Sequence, residues 1–178
     1  MEVTILAAGK GSRFNYKGIT NKCLIKINGK TLVEKIIEKS IRNNIKKINI
    51  IVGYNKKKIY EKLKKKKINF IENNFYSSRD MLYSLKLALK SQRENMIVVY
   101  SDIIFSNKIF KKIKLSKNLK NINLPVLKNW ENIWLKRKKN IFEDCETLVY
   151  DEKLNLLEIG KKTKNRKKIM AQYMGIVY

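Results

Sequence analysis

Histidine is absent from this 178-residue chain. Without an imidazole, the chain has neither the Ser-His or Cys-His pair of nucleophilic catalysis nor a histidine general base. Cysteine is scarce too: Cys23 and Cys145 show neither metal-ligand spacing nor a disulfide framework, which favours a reducing cytoplasm. No apolar run approaches the roughly 20 residues that a membrane span needs. We therefore expect no membrane insertion, and acidic Glu2 argues against a signal peptide.

Acidic residues are also few, with 15 Asp and Glu against 41 Lys and Arg, for a net charge of +26. Nucleic-acid sites that read sequence rely on arginine forks and aromatic platforms. Here the basic residues are mostly lysines that scatter over every segment, and Lys, Ile and Asn share A/T-rich codons. We interpret most of the charge as genome composition and expect no specific nucleic-acid partner. A basic nucleic-acid-binding module stays the alternative from another class.

The most informative segment is the apolar run of residues 3–8 and the loop Gly9-Lys10-Gly11-Ser12-Arg13 after it. Glycine lets the backbone approach an anion, backbone N–H groups point at it, and arginine can fork onto its oxygens. The pattern predicts a phosphate cradle where a strand ends; the alternative is an ordinary glycine turn. The loop matches neither G-x-x-x-x-G-K-[ST] nor G-x-G-x-x-G, because Phe14 stands at the last position.

Strands and helices alternate through the first two thirds of the chain. Thr31 and Glu34 form a capping-box pattern that predicts a helix, and residues 48–52, 68–72 and 96–101 are predicted strands. Residues 78–80 open a further helix whose apolar face carries Met81, Leu82, Leu85 and Leu89. This alternation predicts an α/β fold: a three-layer α/β/α sandwich around a Rossmann-like, mostly parallel sheet.

The C-terminal third reads differently. Its short alternating segments, residues 146–150, 155–159 and 170–178, predict antiparallel additions to the sheet and a hairpin turn at 151–153. No internal repeat or linker interrupts the chain. We therefore expect a single domain over residues 1–178, with an α/β core at 1–121 and a more irregular part at 122–178.

Asp102 follows the apolar strand 96–101, which places a carboxylate at the carboxyl end of the predicted sheet. Open α/β sheets bind ligands at this edge. A magnesium ion carried by a nucleotide takes one or two protein carboxylates plus phosphate oxygens, which makes Asp102 the candidate metal ligand. The alternative is that Asp102 only caps the following turn or helix.

Two segments resemble the signatures of the nucleotidyltransferase superfamily that makes activated sugars and head groups. Residues 6–13 match L-A-A-G-x-G-S-R, and residues 21–32 resemble P-K-x-L followed by G-K-P-L, with Asn21 and Thr31 in place of prolines. The resemblance implies Mg²⁺-dependent transfer by catalytic residues Arg13, Lys22 and Asp102, the last as metal ligand. It implies nucleotide binding by Leu6, Ala7, Ala8, Gly9, Lys10, Gly11, Ser12, Arg13, Lys22 and Ser84.

The second half resembles the branch that activates phosphocholine or 2-aminoethylphosphonate with CTP. The matching patterns are W-x-x-R at 134–137, D-x-E-T at 144–147, E-I-G-K-K and Q-Y-M-G. Residues 74–85 resemble the segment near the base, with Asp80 where the family usually has Asn. The resemblance implies a cytidylyltransferase that takes CTP and a small phospho or phosphono acceptor. It implies a nucleotide-binding core at 1–121 and an acceptor-side part at 122–178. The alternatives are a sugar-1-phosphate nucleotidyltransferase using UTP or dTTP, and an inactive nucleotide-binding module.

The candidate acceptor residues combine aromatic faces and carboxylates, which suit an ammonium group, with an arginine for the phosphonate. They are Trp130, Trp134, Arg137, Asp144, Glu146 and Tyr173. The alternative is that the tryptophans are core and the acids are solvated. Because relatives continue after Q-Y-M-G, the resemblance implies a shortened chain. Such a chain lacks the second metal ligand and could form a homodimer through an exposed strand edge.

Overall fold

The computed structural model describes residues 1–11, 21–91, 95–115, 121–137 and 140–178, without the side chains of residues 91 and 137. The chain divides into two compact units, residues 1–123 with 175–178 and residues 124–174. The expected single domain over residues 1–178 stays a prediction. Among the described helices, none has the length and apolar character that crossing a bilayer requires.

The first unit alternates strands and helices. Its strands are β1 (Glu2–Ala7), β2 (Lys26–Ile27), β3 (Lys30–Thr31), β4 (Lys47–Val52), β5 (Asn69–Glu72), β6 (Met96–Tyr100) and, numbered along the whole chain, β11 (Ile176–Val177). Its helices are α1 (Leu32–Arg42), α2 (Lys56–Leu63), α3 (Met81–Ser91) and α4 (Lys108–Leu115). A single 3₁₀ turn, Lys22–Leu24, lies between β1 and β2 in the described part of this unit.

The central sheet has the strand order β11-β6-β1-β4-β5. The pairs β6–β1, β1–β4 and β4–β5 are parallel, and only β11 runs antiparallel, against β6. Consecutive strand residues face opposite sides of a sheet, and both Ile50 and Ile51 are fully buried, so both faces are covered. The predicted α/β fold with a mostly parallel sheet and an antiparallel addition is confirmed. The carboxyl ends of β1, β4 and β6 share one edge, where the candidate site lies.

Helix α1 begins as the sequence predicts. The Thr31 hydroxyl accepts a hydrogen bond from the Glu34 backbone N–H at 3.3 Å, and the Glu34 carboxylate accepts one from the Thr31 N–H at 2.9 Å. These reciprocal bonds complete the capping box and satisfy two donors that a helix start would otherwise leave open. The entry to α1, and with it the turn that precedes it, is thereby fixed.

The predicted apolar face of α3 is correct at Leu85 and wrong at Leu82 and Leu89. Leu82 and Leu89 are 67% and 52% exposed, whereas Ser84 and Ala88 are buried. Leu85 and Ala88 pack against the β4 and β6 residues Ile51 and Val98. Small side chains let the helix approach the sheet closely, and the polar Ser84 is compatible with burial because Asn73 donates a hydrogen bond to it. Hydrophobicity alone therefore assigned two exposed leucines to the buried face of the helix.

The second unit is built on an antiparallel hairpin of β8 (Glu146–Tyr150) and β9 (Leu156–Lys162). The Asp151 carboxylate closes its turn by accepting the Asn155 N–H at 2.7 Å, close to the predicted position. Strand β7 (Val126–Leu127) pairs with β10 (Gln172–Tyr173), and α5 (Trp130–Arg137) lies between β7 and β8 in the chain. The predicted antiparallel pairing is confirmed, but β8–β9 and β7–β10 form separate two-stranded sheets, and only β11 is added to the central sheet.

Candidate active site

The structure brings together two of the three predicted catalytic residues. Lys22 lies in the 3₁₀ turn after the first loop, and Asp102 follows β6. The Lys22 ammonium nitrogen Nζ and the Asp102 carboxylate oxygen Oδ2 are 3.5 Å apart, with the side chains 29% and 40% exposed. Solvent therefore reaches a paired cation and anion at the carboxyl edge of the sheet. Such a pair offers a cation to a phosphate and a carboxylate to a metal ion.

The first loop leaves β1 at the same edge. Ala7 and Ala8 are buried, Gly9 and Lys10 are exposed, and the Leu6 carbonyl accepts the Ser101 N–H at 3.3 Å. Lys10 Nζ lies 6.0 Å from the centre of the Tyr54 ring. The predicted Ser12 and Arg13 lie outside the described residues. The described half of the loop thus leads from the buried strand to an exposed glycine and lysine.

Gly11 fits the predicted cradle for two reasons: its backbone conformation favours glycine, and the absence of a side chain leaves space for Lys22. Its φ is +64°, a conformation that residues with a side chain rarely adopt. A Cβ atom added there would lie 3.2 Å from Cγ and 3.3 Å from Cε of Lys22. The Lys22 side chain therefore passes directly over Gly11, and the glycine leaves it the space.

We expect Gly11→Ala to destabilise the protein by about 1–2 kcal/mol, because alanine is strained at positive φ. The added methyl group should also displace Lys22 and lower turnover about tenfold or more. Gly29→Ala is the matched control, since Gly29 has a φ of +77° and open space around its missing Cβ. Thermal melts and initial rates check both variants. Equal rates in Gly11→Ala and Gly29→Ala would contradict the crowding of Lys22.

Gly53 and Tyr54, at the end of β4, support the site but are absent from the sequence predictions. A Cβ on Gly53 would lie 2.7 Å from Cβ of Tyr76 and 2.9 Å from the Ala8 carbonyl oxygen. The Tyr54 N–H donates to that same carbonyl at 3.0 Å. The loops after β1 and β4 are therefore in direct contact, and only glycine fits between them. A glycine directly after a buried strand was the available signal.

Ser84 is buried one turn into α3 rather than exposed at the sheet edge. Its hydroxyl accepts from Nδ2 of Asn73 at 3.0 Å, and the Asn73 N–H donates to the Val52 carbonyl at 2.7 Å. Ser84 therefore supports the segment that follows β5. Its direct contact with a nucleotide stays a prediction.

The buried thiol of Cys23 lies next to Lys22 in the same turn. Its pKa is raised from 9.0 to about 12, chiefly by burial and in smaller part by the negative charge of Asp102, against the opposing effect of a backbone hydrogen bond. The thiol donates to Oδ1 of Asn21 at 3.2 Å. Cys23 is thus a protonated packing residue rather than a nucleophile, since the thiolate is the reactive form.

We expect iodoacetamide to leave Cys23 unlabelled in the native protein at about pH 9, where an ordinary thiol is already reactive. Unfolded chains release this proton near pH 9.0 and folded chains only near 12, so the free energy of unfolding should fall as pH rises between these values. Mass spectrometry of labelled native and urea-unfolded protein checks the first part. Cys23→Ala should remove this contribution to the pH dependence. Native labelling as fast as unfolded labelling would contradict the burial.

The candidate acceptor residues all belong to the second unit. Asp144 and Glu146 are exposed at the start of β8, and the Glu146 carbonyl accepts from Nε2 of Gln172 at 2.9 Å. Tyr173 is half-buried in β10. Arg137 ends α5, and its side chain is not described. Exposed carboxylates agree with a contact to a cationic acceptor and equally with the solvated alternative.

Trp130 is fully buried in a cluster with Cys145 and Ile169. The Arg166 guanidinium lies 5.3 Å from its ring centre. Trp134 contacts Trp130 edge to face at 6.1 Å, and its indole N–H donates to the Asp144 carbonyl at 3.4 Å. Burial favours the core interpretation of Trp130, because a ring without exposed surface offers no face to a ligand. The half-buried Trp134 stays a predicted acceptor contact.

Asp102 fits a metal ion brought by a nucleotide better than a metal held by protein alone. Within the described ranges, no three Cys, Asp or Glu side chains are grouped to hold a metal. One half-exposed carboxylate at a strand end is the donor set expected when phosphate oxygens supply other ligands.

Comparison with known proteins adds a family. The family model described as "MobA-like NTP transferase domain" matches residues 3–121, which include the first loop, Lys22 and Asp102. The match therefore covers nearly all of residues 1–123 of the first unit and none of the second unit.

Two curated relatives carry this similarity along different lengths of the chain. The CTP:phosphoglutamine cytidylyltransferase of Campylobacter jejuni is 30% identical over 99% of this chain, which covers 72% of that protein. The choline-phosphate cytidylyltransferase of Streptococcus pneumoniae is 32% identical over 60% of this chain and is covered over 47% of its length. The second relative therefore extends well beyond the matched region.

Among solved structures, a putative glucose-1-phosphate thymidylyltransferase from Bacillus anthracis superimposes with a TM-score of 0.79 at 20% identity. The superposition covers 99% of this chain and 70% of that one. At this identity the likeness shows the fold alone, and it confirms the Rossmann-like α/β architecture.

Proposed function

Because this chain belongs to the MobA-like NTP transferase domain family, we propose that it transfers CMP from CTP to a small phosphorylated or phosphonate acceptor. The predicted nucleotidyltransferase enzyme is confirmed by the family and by the cytidylyltransferase relatives. The observation that carries the choice of CTP is the 30% identity along 99% of the chain to a protein named CTP:phosphoglutamine cytidylyltransferase. For the present chain, the cytoplasmic location and the formation of a homodimer stay predictions.

The proposed reaction needs no histidine. An acceptor phosphate oxygen, already ionised near neutral pH, attacks the α-phosphorus of CTP. The bond between the α-phosphorus and the oxygen that bridges the α- and β-phosphates breaks, and pyrophosphate leaves with the electron pair. No proton must be removed from the attacking oxygen, which agrees with a chain that lacks imidazoles. The protein's task is to hold crowded anions in line and neutralise them.

Lys22 is the described residue best placed for neutralising charge. Its half-buried ammonium offers three donors to phosphate oxygens, and Gly11 beneath it leaves room for a close approach. Exposed Gly9 and Lys10 and half-buried Gly11 can add backbone N–H donors. Arg13 keeps its proposed role as a further phosphate contact.

Asp102 is proposed to hold Mg²⁺ together with the phosphates of CTP. The ion would supply charge neutralisation at the triphosphate. Asp144 and Glu146 are proposed to contact a cationic part of the acceptor, with Arg137 on its phosphate or phosphonate. This assignment rests on residue type and exposure in the second unit.

Pyrophosphate release tests the proposed function. The protein is incubated with Mg²⁺ and each of CTP, UTP, dTTP, ATP and GTP. The acceptors are phosphocholine, 2-aminoethylphosphonate, a phosphorylated glutamine and glucose 1-phosphate. We expect release with CTP and one of the first three acceptors. Release with UTP or dTTP and glucose 1-phosphate would assign the sugar branch, and no release with any pair would contradict the proposal.

A salt titration with labelled RNA separates the enzyme from the basic binding module. The enzyme should bind RNA weakly and lose it near physiological salt, because only non-specific charge attraction acts. Tight binding that persists at moderate salt would favour the module.

A further inference from the structure

Asn21, the residue before Lys22, joins two segments at the site. It is 3% exposed, and both ends of its amide are engaged. Nδ2 donates to the Tyr54 carbonyl at 3.1 Å, and Oδ1 accepts from the Cys23 thiol at 3.2 Å. One buried side chain thus connects the turn that carries Lys22 to the loop after β4.

That loop is itself anchored to the central strand of the sheet. The Tyr54 N–H donates to the Ala8 carbonyl just after β1, and the missing Cβ of Gly53 lets the two segments touch. Asn21, Tyr54 and Ala8 therefore form a continuous series of hydrogen bonds. It runs from the turn to the end of β1, where the predicted phosphate cradle begins.

The Asn21 amide is not spent on capping its own turn. Asn21 is the N-cap of Lys22–Leu24, yet its side chain makes no capping hydrogen bond. Its φ of −145° is extended, a value closed to proline, whose ring holds φ near −65°. Asn21 therefore holds the turn through its hydrogen bond to Tyr54, whereas a proline would hold it through its fixed φ.

We propose that Asn21 is a positioning residue that holds Lys22 above Gly11 and against Asp102. Lysine has a long flexible stem, so the position of its ammonium depends on where its backbone is fixed. Loss of the amide frees the turn from Tyr54 and lets Lys22 move away from the phosphates. A displacement on the order of 1 Å costs about a hundredfold in rate. The role rests on the proposed function of Lys22 as a phosphate contact.

The test compares Asn21→Ala with Asn43→Ala. Asn43 is also a buried asparagine of the first unit, and its side chain donates to Lys39 and Asn107 at 2.7 Å each, on α1 and before α4. Both variants lose a buried amide, so both should lower the melting temperature. We expect only Asn21→Ala to lower kcat, by about 10- to 100-fold at unchanged folded fraction. Asn21→Pro introduces the residue that the family has at this position. We expect its kcat to be no higher than that of Asn21→Ala, because proline cannot adopt a φ of −145°.

Tripolyphosphate binding gives a readout that does not require turnover. Calorimetry on the full chain should show that Lys22→Ala and Asn21→Ala both weaken tripolyphosphate binding, while Asn43→Ala binds as the unchanged protein does. If the chain binds tripolyphosphate in this pattern but never uses CTP, the proposed function fails and the positioning role stands. Unweakened binding and kcat in Asn21→Ala, or equal losses in Asn43→Ala, would overturn the positioning role. Unweakened binding in Lys22→Ala would overturn it too.

Discussion

We expect Asp102→Asn to lower turnover by about three orders of magnitude while the stability of the protein changes little. The carboxylate follows β6 and is 40% exposed, so an amide of nearly the same shape disturbs little packing. Loss of its half-exposed pair with Lys22 should change the free energy of unfolding by only about 0.5 kcal/mol. What the variant loses is the anionic ligand proposed for Mg²⁺.

Initial rates across a Mg²⁺ titration, with thermal melts beside them, check this result. Asp151→Asn is the control, because it removes the same charge from the turn between β8 and β9, where Asp151 accepts the Asn155 N–H. We expect Asp151→Asn to keep its rate within a few-fold. Wild-type turnover in Asp102→Asn would show that Asp102 is not the metal ligand.

Lys22→Ala is expected to have the second large effect: it should lower turnover with CTP and strengthen the binding of a metal ion alone. Turnover should fall by about a hundredfold or more, since a cation facing the phosphates is lost. Binding of Mn²⁺ without nucleotide should become tighter, because Lys22 Nζ no longer lies 3.5 Å from the Asp102 carboxylate. A carboxylate without its cation attracts a metal ion more strongly.

Calorimetry with Mn²⁺ alone and initial rates with CTP measure the two effects separately. Lys30→Ala provides the control, since Lys30 forms a comparable surface pair with Glu38 at 2.8 Å. It should leave both measurements near the wild-type values. A Lys22→Ala variant with weaker Mn²⁺ binding would contradict competition between the lysine and the metal for Asp102.

Local sequence signals predicted the elements that frame the site. The capping box at Thr31 and Glu34 predicted the start of α1, and the apolar run before Asp102 predicted β6 and its carboxyl end. These signals work because they concern neighbours in the chain. Lys22 could be singled out only through family resemblance, because no local pattern distinguishes it among so many lysines.

Contacts between separate loops could not be predicted in the same way. The bonds from Asn21 to Tyr54 and from Tyr54 to Ala8 depend on β4 lying beside β1 in one register. Helix α3 shows the other limit, since the close approach of its small Ser84 and Ala88 decided which face was buried. A prediction from hydrophobicity places the large apolar side chains on the buried face. A helix packed closely against a sheet instead buries its small side chains.

The position of β1 has a consequence for how the chain folds as it is synthesised. This strand is translated before the other strands of the sheet, yet it lies in the middle of the sheet, where Glu2 pairs with Lys47 on one side and Met96 on the other. The apolar side chains of β1 and the backbone N–H and C=O groups along its two edges are therefore covered only after most of the first unit has emerged. Such long sequence separations slow folding and prolong exposure of a sticky segment. The nascent chain should depend on holding chaperones until residues of β6 have left the ribosome.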